Sequence, residues 1–155
     1  MLEFKSRCSL LMIIRSVESD GNCYFRALSD QICGSEDGHI LLRALIIGFV
    51  NDNGGKFREI IDYNYYLSWE NFIYKMRQNG IFVDSVVIVA SAMFLQRAII
   101  VHQYEQRPLL FKFSIFISSD NQIHLAYDPK KFHYNSLWSV EEKRLQIDES
   151  ECRFA

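Results

Sequence analysis

Asp20-Gly21-Asn22-Cys23-Tyr24-Phe25-Arg26-Ala27-Leu28 stands between an apolar, β-branched stretch, Leu10 to Val17, and a helix predicted over Cys23 to Cys33. A cysteine that leaves a tight loop into the first turn of a helix has unpaired backbone N–H groups and the positive end of the helix dipole beside its sulfur. Both favour thiolate over thiol. Gly21 and Asn22 supply the permissive backbone that a sharp strand-to-helix turn needs. They also set N–H groups in series next to Cys23, so the backbone of Asp20, Gly21, Asn22 and Cys23 is the expected oxyanion hole.

Far downstream lies Phe132-His133-Tyr134-Asn135-Ser136, a histidine with a carboxamide two residues on. A cysteine, a histidine and an orienting Asn are the parts of a papain-type triad, in which the imidazole takes the thiol proton and the third group fixes its tautomer. A single cysteine at a helix start commonly serves as a small buried hydrophobe, and a single histidine as a satisfied core or surface residue. The two with their local contexts are far more specific.

Between these sites the pattern is helical. The first helix carries Tyr24, Phe25, Leu28 and Ile32 on one face, with Asn22 as N-cap and Gly34 as its stop. His39 to Val50 is a second apolar helix, ending at the Asn53-Gly54-Gly55 break, and Phe57 to Tyr63 a short one. Ser68 caps the next, with Phe72, Ile73 and Met76 inward and Gly80 ending it. Asp84 caps another that runs to about Gln96, where Ser85, Ala90, Ser91 and Ala92 suit close packing against a sheet.

The last third turns to strands. Ala98 to Gln103, Leu109 to Ile117 and Gln122 to Tyr127 are rich in Ile, Val and Phe, and Ser118-Ser119-Asp120-Asn121 is a hairpin turn signal. His133 to Val140 reads as the final strand. One early strand, then helices, then strands predict an α+β domain with a central sheet covered by helices. Glu141 to Ala155 is charged and weakly periodic, which predicts a solvated helix or a frayed end.

With 155 residues, 49% of them hydrophobic and 14% aromatic, the chain is one domain's worth and can bury a sizeable core. Two prolines and no low-complexity run argue against linkers or disorder. A formal net charge of -2 offers no basic face for nucleic acid. Leu10 to Ile14 is too short for a signal-peptide core, and polar residues interrupt the later apolar segments, so no membrane association is expected. Cys8, Cys23, Cys33 and Cys152 form no C-x-x-C pair, which argues against a disulfide framework or a metal site and for a reducing compartment. His39, His102 and His124 read as structural or surface residues; His124 alternates with Ile123 and Leu125 in a strand and could line the cleft.

These residues resemble the ovarian-tumour (OTU) superfamily of cysteine deubiquitinases. The resemblance rests on the Asp20 to Leu28 block, on Ile81-Phe82-Val83-Asp84 with the helical segment after it, and on His124-Leu125-Ala126-Tyr127 followed by His133-Tyr134-Asn135-Ser136. It covers roughly residues 10 to 139, nearly the whole chain. Where many members carry a tryptophan and glycines, this chain has Phe82, Val83 and Asp84.

The resemblance implies a papain-like variant fold of OTU type, its central sheet mainly antiparallel. Residues 1–140 would be the catalytic domain and 141–155 a charged C-terminal tail or terminal helix. Cys23 would be the nucleophile, His133 the general base and acid, Asp20 the acidic residue of the Asp-Gly-Asn-Cys motif, and Asn135 the group that orients the histidine. The implied activity is that of an isopeptidase cutting between the C-terminal glycine of ubiquitin and a lysine amine through a thioester, with a cleft too narrow for side chains beside the Gly-Gly tail. Ubiquitin or its chains would be the partner, with no cofactor or metal, and the protein would act as a monomer in the cytoplasm or nucleus. Two alternatives stay open: a hydrolase for another ubiquitin-like modifier or a peptide, and a module that binds ubiquitin without cutting it. Asp20 acts either through its backbone or by anchoring the loop.

Overall fold

The computed structural model describes residues 2–8, 10–114 and 120–155. Two strands, β1 (Leu2–Phe4) and β2 (Met12–Arg15), lead into α1 (Cys23–Cys33). A 3-10 turn (Glu36–Gly38) precedes α2 (His39–Asp52), and α3 (Gly54–Phe57), α4 (Tyr63–Tyr66), α5 (Trp69–Arg77) and α6 (Ser85–Leu95) follow. The later strands are β3 (Ile99–His102), β4 (Leu109–Phe111), β5 (Ile123–Asp128), β6 (His133–Ser139) and β7 (Arg153–Phe154). Among the described residues they form one sheet in the order β1-β2-β6-β5-β3-β4-β7. The β3–β5 and β4–β7 pairs are parallel and the rest antiparallel, which is the mainly antiparallel α+β sheet that was expected.

The sheet is covered on both faces, and the two-residue period of a strand sorts the side chains between them. Ile99 and Val101 of β3 and Ile123 and Leu125 of β5 join the main core against the helices, with Leu28, Ile46, Phe72 and Val87. Ile100 of β3 and Ala126 of β5 point the other way, into two smaller clusters closed by Leu145, Ile147 and Cys152. Residues 141–155 are therefore neither a solvated helix nor a frayed end. A 3-10 turn (Glu149–Glu151) and β7 replace that expectation, because the second face of the sheet is apolar and needs a cover.

Helix α1 is held against β6 by two polar residues that the helix buries. Gln31 donates to Ser136 Oγ at 2.8 Å and to the Leu137 carbonyl at 2.7 Å, and accepts the His124 N–H at 2.9 Å. Asp30 accepts from Trp138 Nε1 at 2.8 Å and pairs with Arg15 at 3.1 Å. The helix stops as expected at Gly34, left-handed at φ 75°, whose N–H reaches the Asp30 carbonyl. Ser68 and Asp84 cap α5 and α6 with their side chains.

Several boundaries differ from the sequence reading. The early strand covers Met12–Arg15 and not Leu10 to Val17. The N–H of Asn53 closes α2 after Asp52, and Gly54-Gly55 begins α3 where a break was expected. The helix expected from Phe57 to Tyr63 is split, because the Asp62 carboxylate takes the Asn64 N–H and starts α4 afresh. Helix α5 ends at Arg77, before Gly80, which sits at φ 82° in the turn that follows. Of the Leu109 to Ile117 strand and the 118–121 turn, residues 115–119 lie outside the described residues. Strand β4 pairs with β3 and β7, whereas β5 pairs with β3 and β6, so β4 and β5 are not hairpin neighbours. Strand β6 is not the last, since β7 follows it.

Candidate active site

The loop before Cys23 is closed on itself by Asp20. Its carboxylate accepts the Asn22 N–H at 2.9 Å, Asn22 Nδ2 at 3.1 Å and Arg26 Nη2 at 2.8 Å. The Arg26 guanidinium holds the Asp20 carboxyl down at about 2, with the Asn22 groups helping and burial opposing. Arg26 in turn pairs with Glu18 and Glu36. Of the two roles open to Asp20, anchoring the loop is the one its contacts describe; no hydrogen bond joins it to His133 among the described residues.

Asn22 occupies the N-cap position of α1 but caps nothing. Its Oδ1 instead accepts the Gly80 N–H at 2.8 Å and Arg43 Nη2 at 3.1 Å, which ties the nucleophile loop to the segment after α5. The two backbones meet so closely that a Cβ on Gly21 would lie 1.6 Å from the Gly80 carbonyl oxygen. Gly21 is required here by close approach.

The expected oxyanion donors are largely engaged inside the turn. The Asn22 N–H is held by the Asp20 side chain, the Cys23 N–H by the Asp20 carbonyl at 3.2 Å, and the Asp20 N–H by the Glu18 carbonyl at 3.2 Å. Of the four, the Gly21 N–H makes no hydrogen bond among the described residues. A turn tight enough to line up these groups also satisfies most of them internally.

Cys23 is 1% exposed, and its sulfur accepts the Tyr134 N–H at 3.4 Å. Burial pushes the thiol up and Asp20 adds to that, while the backbone N–H groups of Tyr134, Tyr24 and Cys23 pull the other way without cancelling it. The backbone N–H groups at the helix start favour the thiolate, as expected, but they do not prevail over burial. Desolvation outweighs these donors, which leaves the thiol in need of a base.

The histidine expected to act as the base has a defined tautomer. Asn135 Oδ1 receives the Val17 N–H at 3.0 Å, and a backbone N–H can only donate, so this atom must be the amide oxygen. The same oxygen lies 3.0 Å from His133 Nε2, which must therefore carry the hydrogen. Nδ1 is left as the basic lone pair. His133 and Cys23 share no hydrogen bond in this structure; the sulfur meets β6 one residue on, at Tyr134.

An aromatic cluster gathers around Tyr134, whose N–H meets the sulfur. The Tyr134 ring contacts Tyr24, Tyr127 and Phe82, and Phe82 also meets the edge of Phe132, an exposed residue at φ 50° directly before His133. A groove of about 820 Å³ reaches His133 and Asn135 together with Val17, Tyr104 and Lys130; Cys23 is not among its walls. His124 does not line the cleft. It is fully buried on the second face of the sheet, 2.8 Å from His102.

Two contributors escaped the sequence reading. Val17 acts only through its N–H, which no side-chain pattern reveals. Arg43 left a signal, as the single charge in the apolar run of α2, and it lies buried under the nucleophile loop. Among the described residues no group of three or more His, Cys, Asp or Glu is placed to hold a metal ion, and no helix is long and apolar enough to cross a membrane.

The family model for OTU-like cysteine proteases matches residues 18–135. A rat protein named OTU domain-containing protein 5 is 27% identical over 125 residues, covering 81% of this chain and 21% of its own length. An Arabidopsis thaliana protein named ovarian tumor domain-containing deubiquitinating enzyme 7 is 28% identical over 141 residues, or 90% of this chain and 36% of that protein. The chain thus spans about a fifth to a third of the length of these relatives. Among solved structures, the OTU domain of OTUD1 superposes with a TM-score of 0.74 at 19% identity, covering 83% of this chain and 86% of that one. An ovarian tumor domain in complex with ubiquitin gives 0.67 at 19% identity, covering 88% and 75%.

Proposed function

Because the chain belongs to the OTU-like cysteine protease family, whose model spans the segment from the nucleophile loop to Asn135, we propose that it is a thiol-dependent deubiquitinase. It cuts the bond between the C-terminal glycine of ubiquitin and a lysine amine. The observation that carries this reading is the tautomer lock: the Val17 N–H fixes Asn135 Oδ1, which fixes Nε2–H on His133 and leaves Nδ1 to take a proton.

In the first step His133 Nδ1 removes the Cys23 proton and the sulfur attacks the glycine carbonyl carbon. The resulting oxyanion is met by the Gly21 N–H, joined by the Cys23 N–H if it leaves the Asp20 carbonyl, each such donor being worth about 3 kcal/mol. The imidazolium returns its proton to the lysine nitrogen as the C–N bond breaks, which leaves a thioester on Cys23. Water, deprotonated by the same Nδ1, then attacks the thioester and releases the ubiquitin carboxylate and the thiol. Because the thiol is held up by burial at rest, this scheme has proton transfer to His133 coincide with substrate binding, when water leaves the cleft. A thiol nucleophile also needs a reducing compartment, which the cytoplasm or nucleus supplies.

A ubiquitin probe bearing a C-terminal electrophile tests the reading. Covalent labelling at Cys23, lost in Cys23→Ala, is the expected result. Labelling only by the probe of another modifier moves the substrate to that modifier, and ubiquitin binding without labelling makes the protein a non-cleaving module.

A further inference from the structure

Arg43 projects from α2 into the space between the nucleophile loop and the 76–81 segment, and is 5% exposed. Its Nη1 donates to the Met76 carbonyl at 2.8 Å, and its Nη2 to the Ile81 carbonyl at 2.9 Å, Asn22 Oδ1 at 3.1 Å and the Gly21 carbonyl at 3.2 Å. The face of the guanidinium lies 4.6 Å from the centre of the Phe25 ring. Every acceptor is neutral, and Arg43 forms no ion pair among the described residues. A buried guanidinium without a carboxylate is costly, and neutral residues of similar size normally fill such a site better. The chain retains it against Gly21, Asn22 and Phe25, which flank Cys23, the residue whose proposed chemistry requires a buried anion.

We propose that Arg43 is a positioning residue for the nucleophile: it fastens the Gly21–Asn22 backbone to Ile81, and its charge is the counter-charge against which the Cys23 thiolate forms. The groups around the sulfur leave this role open to few others. Asp20 faces Cys23 with a negative charge, and Arg26, which neutralises it, is matched by Asp20, Glu18 and Glu36 together. Tyr24, Tyr127 and Tyr134 are all pushed up from the ordinary phenol value, chiefly by burial, and stay neutral. In the proposed mechanism His133 takes up its positive charge with the Cys23 proton. Arg43, lowered to about 10 by burial, keeps its charge at neutral pH and is drawn back up by Asp20 and Cys23.

The inference rests on Cys23 as nucleophile and not on ubiquitin as substrate, so its test reads the sulfur directly. The rate of Cys23 alkylation by iodoacetamide is followed from pH 5 to 10 by mass spectrometry in the wild type, Arg43→Gln and Arg43→Lys. Cys33, exposed at the opposite end of α1 from Cys23, serves as the internal reference. Loss of the charge should raise the apparent pKa of Cys23 alkylation by about one unit and slow the reaction at pH 7 about tenfold. Arg43→Lys should recover most of that. If Arg43→Gln does not fold, Arg43→citrulline keeps the planar donors and removes only the charge. An unchanged Cys23 profile in a folded neutral variant overturns the proposal, as does an equal shift in Arg43→Lys and the neutral variant. A wild type that ignores ubiquitin probes while its Cys23 reactivity follows Arg43 would instead overturn the substrate reading alone.

Discussion

Two histidines in this fold are built alike and meet opposite fates. In each case a side-chain amide two residues away in the chain is fixed by a backbone N–H, and the amide oxygen fixes the imidazole. Val17 N–H sets Asn135 Oδ1, which takes the proton of His133 Nε2. Ile147 N–H sets Gln122 Oε1 at 2.9 Å, which takes the proton of His124 Nε2 at 3.0 Å. Both imidazoles are left with a basic Nδ1. That of His133 stays without a hydrogen-bond partner among the described residues, at the end of the sheet where Cys23 emerges. That of His124 is filled by His102 Nε2–H at 2.8 Å beneath the C-terminal segment. Burial lowers His102 to about 3 and His124 well below its ordinary value, so neither can act as a base near neutral pH. An amide-oriented histidine is therefore not by that alone a base; the role proposed for His133 rests on an Nδ1 without a partner among the described residues, next in the chain to the Tyr134 N–H that meets the Cys23 sulfur.

The comparison breaks most visibly through His133→Ala. It should remove at least about a thousandfold of kcat, as Cys23→Ala should, if the two act as one unit as proposed, while the melting temperature barely moves. A His133→Ala enzyme that keeps its kcat on a ubiquitin–fluorophore substrate would make His133 the equal of His124. Asn135→Ala should be milder, a loss of about ten- to a hundredfold, since the imidazole survives and only its aim is lost. Full activity in Asn135→Ala combined with a dead Asp20→Ala would hand the third role to Asp20.

At the other site the readouts exchange. His124→Leu leaves His102 Nε2–H without its acceptor inside the protein, and should cost about 1–3 kcal/mol in urea denaturation while kcat stays within about twofold. The smallest effect is an acid limb of stability. His102 and His124 are depressed in the folded chain but titrate near 6.5 when unfolded, so between these values the unfolded state binds more protons. Their contribution is complete above about pH 6.5 and shrinks as pH falls toward the folded values. Melting temperature measured from pH 8 to pH 4.5 should decline, and less steeply in His124→Leu; identical slopes would mean that the pair does not titrate on unfolding.

Legibility followed locality. The span of α1 was read to the residue, with its stop at Gly34, because capping and the face formed by Tyr24, Phe25 and Leu28 are written within a dozen residues. Ser68 and Asp84 were legible as caps for the same reason. Asn22 was read as a cap and is instead a bridge to Gly80 and Arg43, partners 58 and 21 residues away. The tail was misread because Leu145, Ile147 and Cys152 are too sparse for a period. Their burial depends on an apolar second sheet face that exists only after the strands pair.

By itself the sequence determined which sulfur opens the first helix, which histidine carries an amide partner on β6, and that helices would cover a central sheet. These rest on short-range propensity and on side-chain period, which the local chain enforces. Tertiary structure alone decided that the Cys23 thiol is buried and held up, that most of the loop's N–H groups are already engaged, that Asp20 serves Arg26 and the loop, and that Arg43 sits uncompensated beneath them. Burial and hydrogen-bond partners are set by whatever folds in from distant parts of the chain, and a proton's affinity for sulfur or imidazole depends on those surroundings more than on the residue's neighbours in sequence.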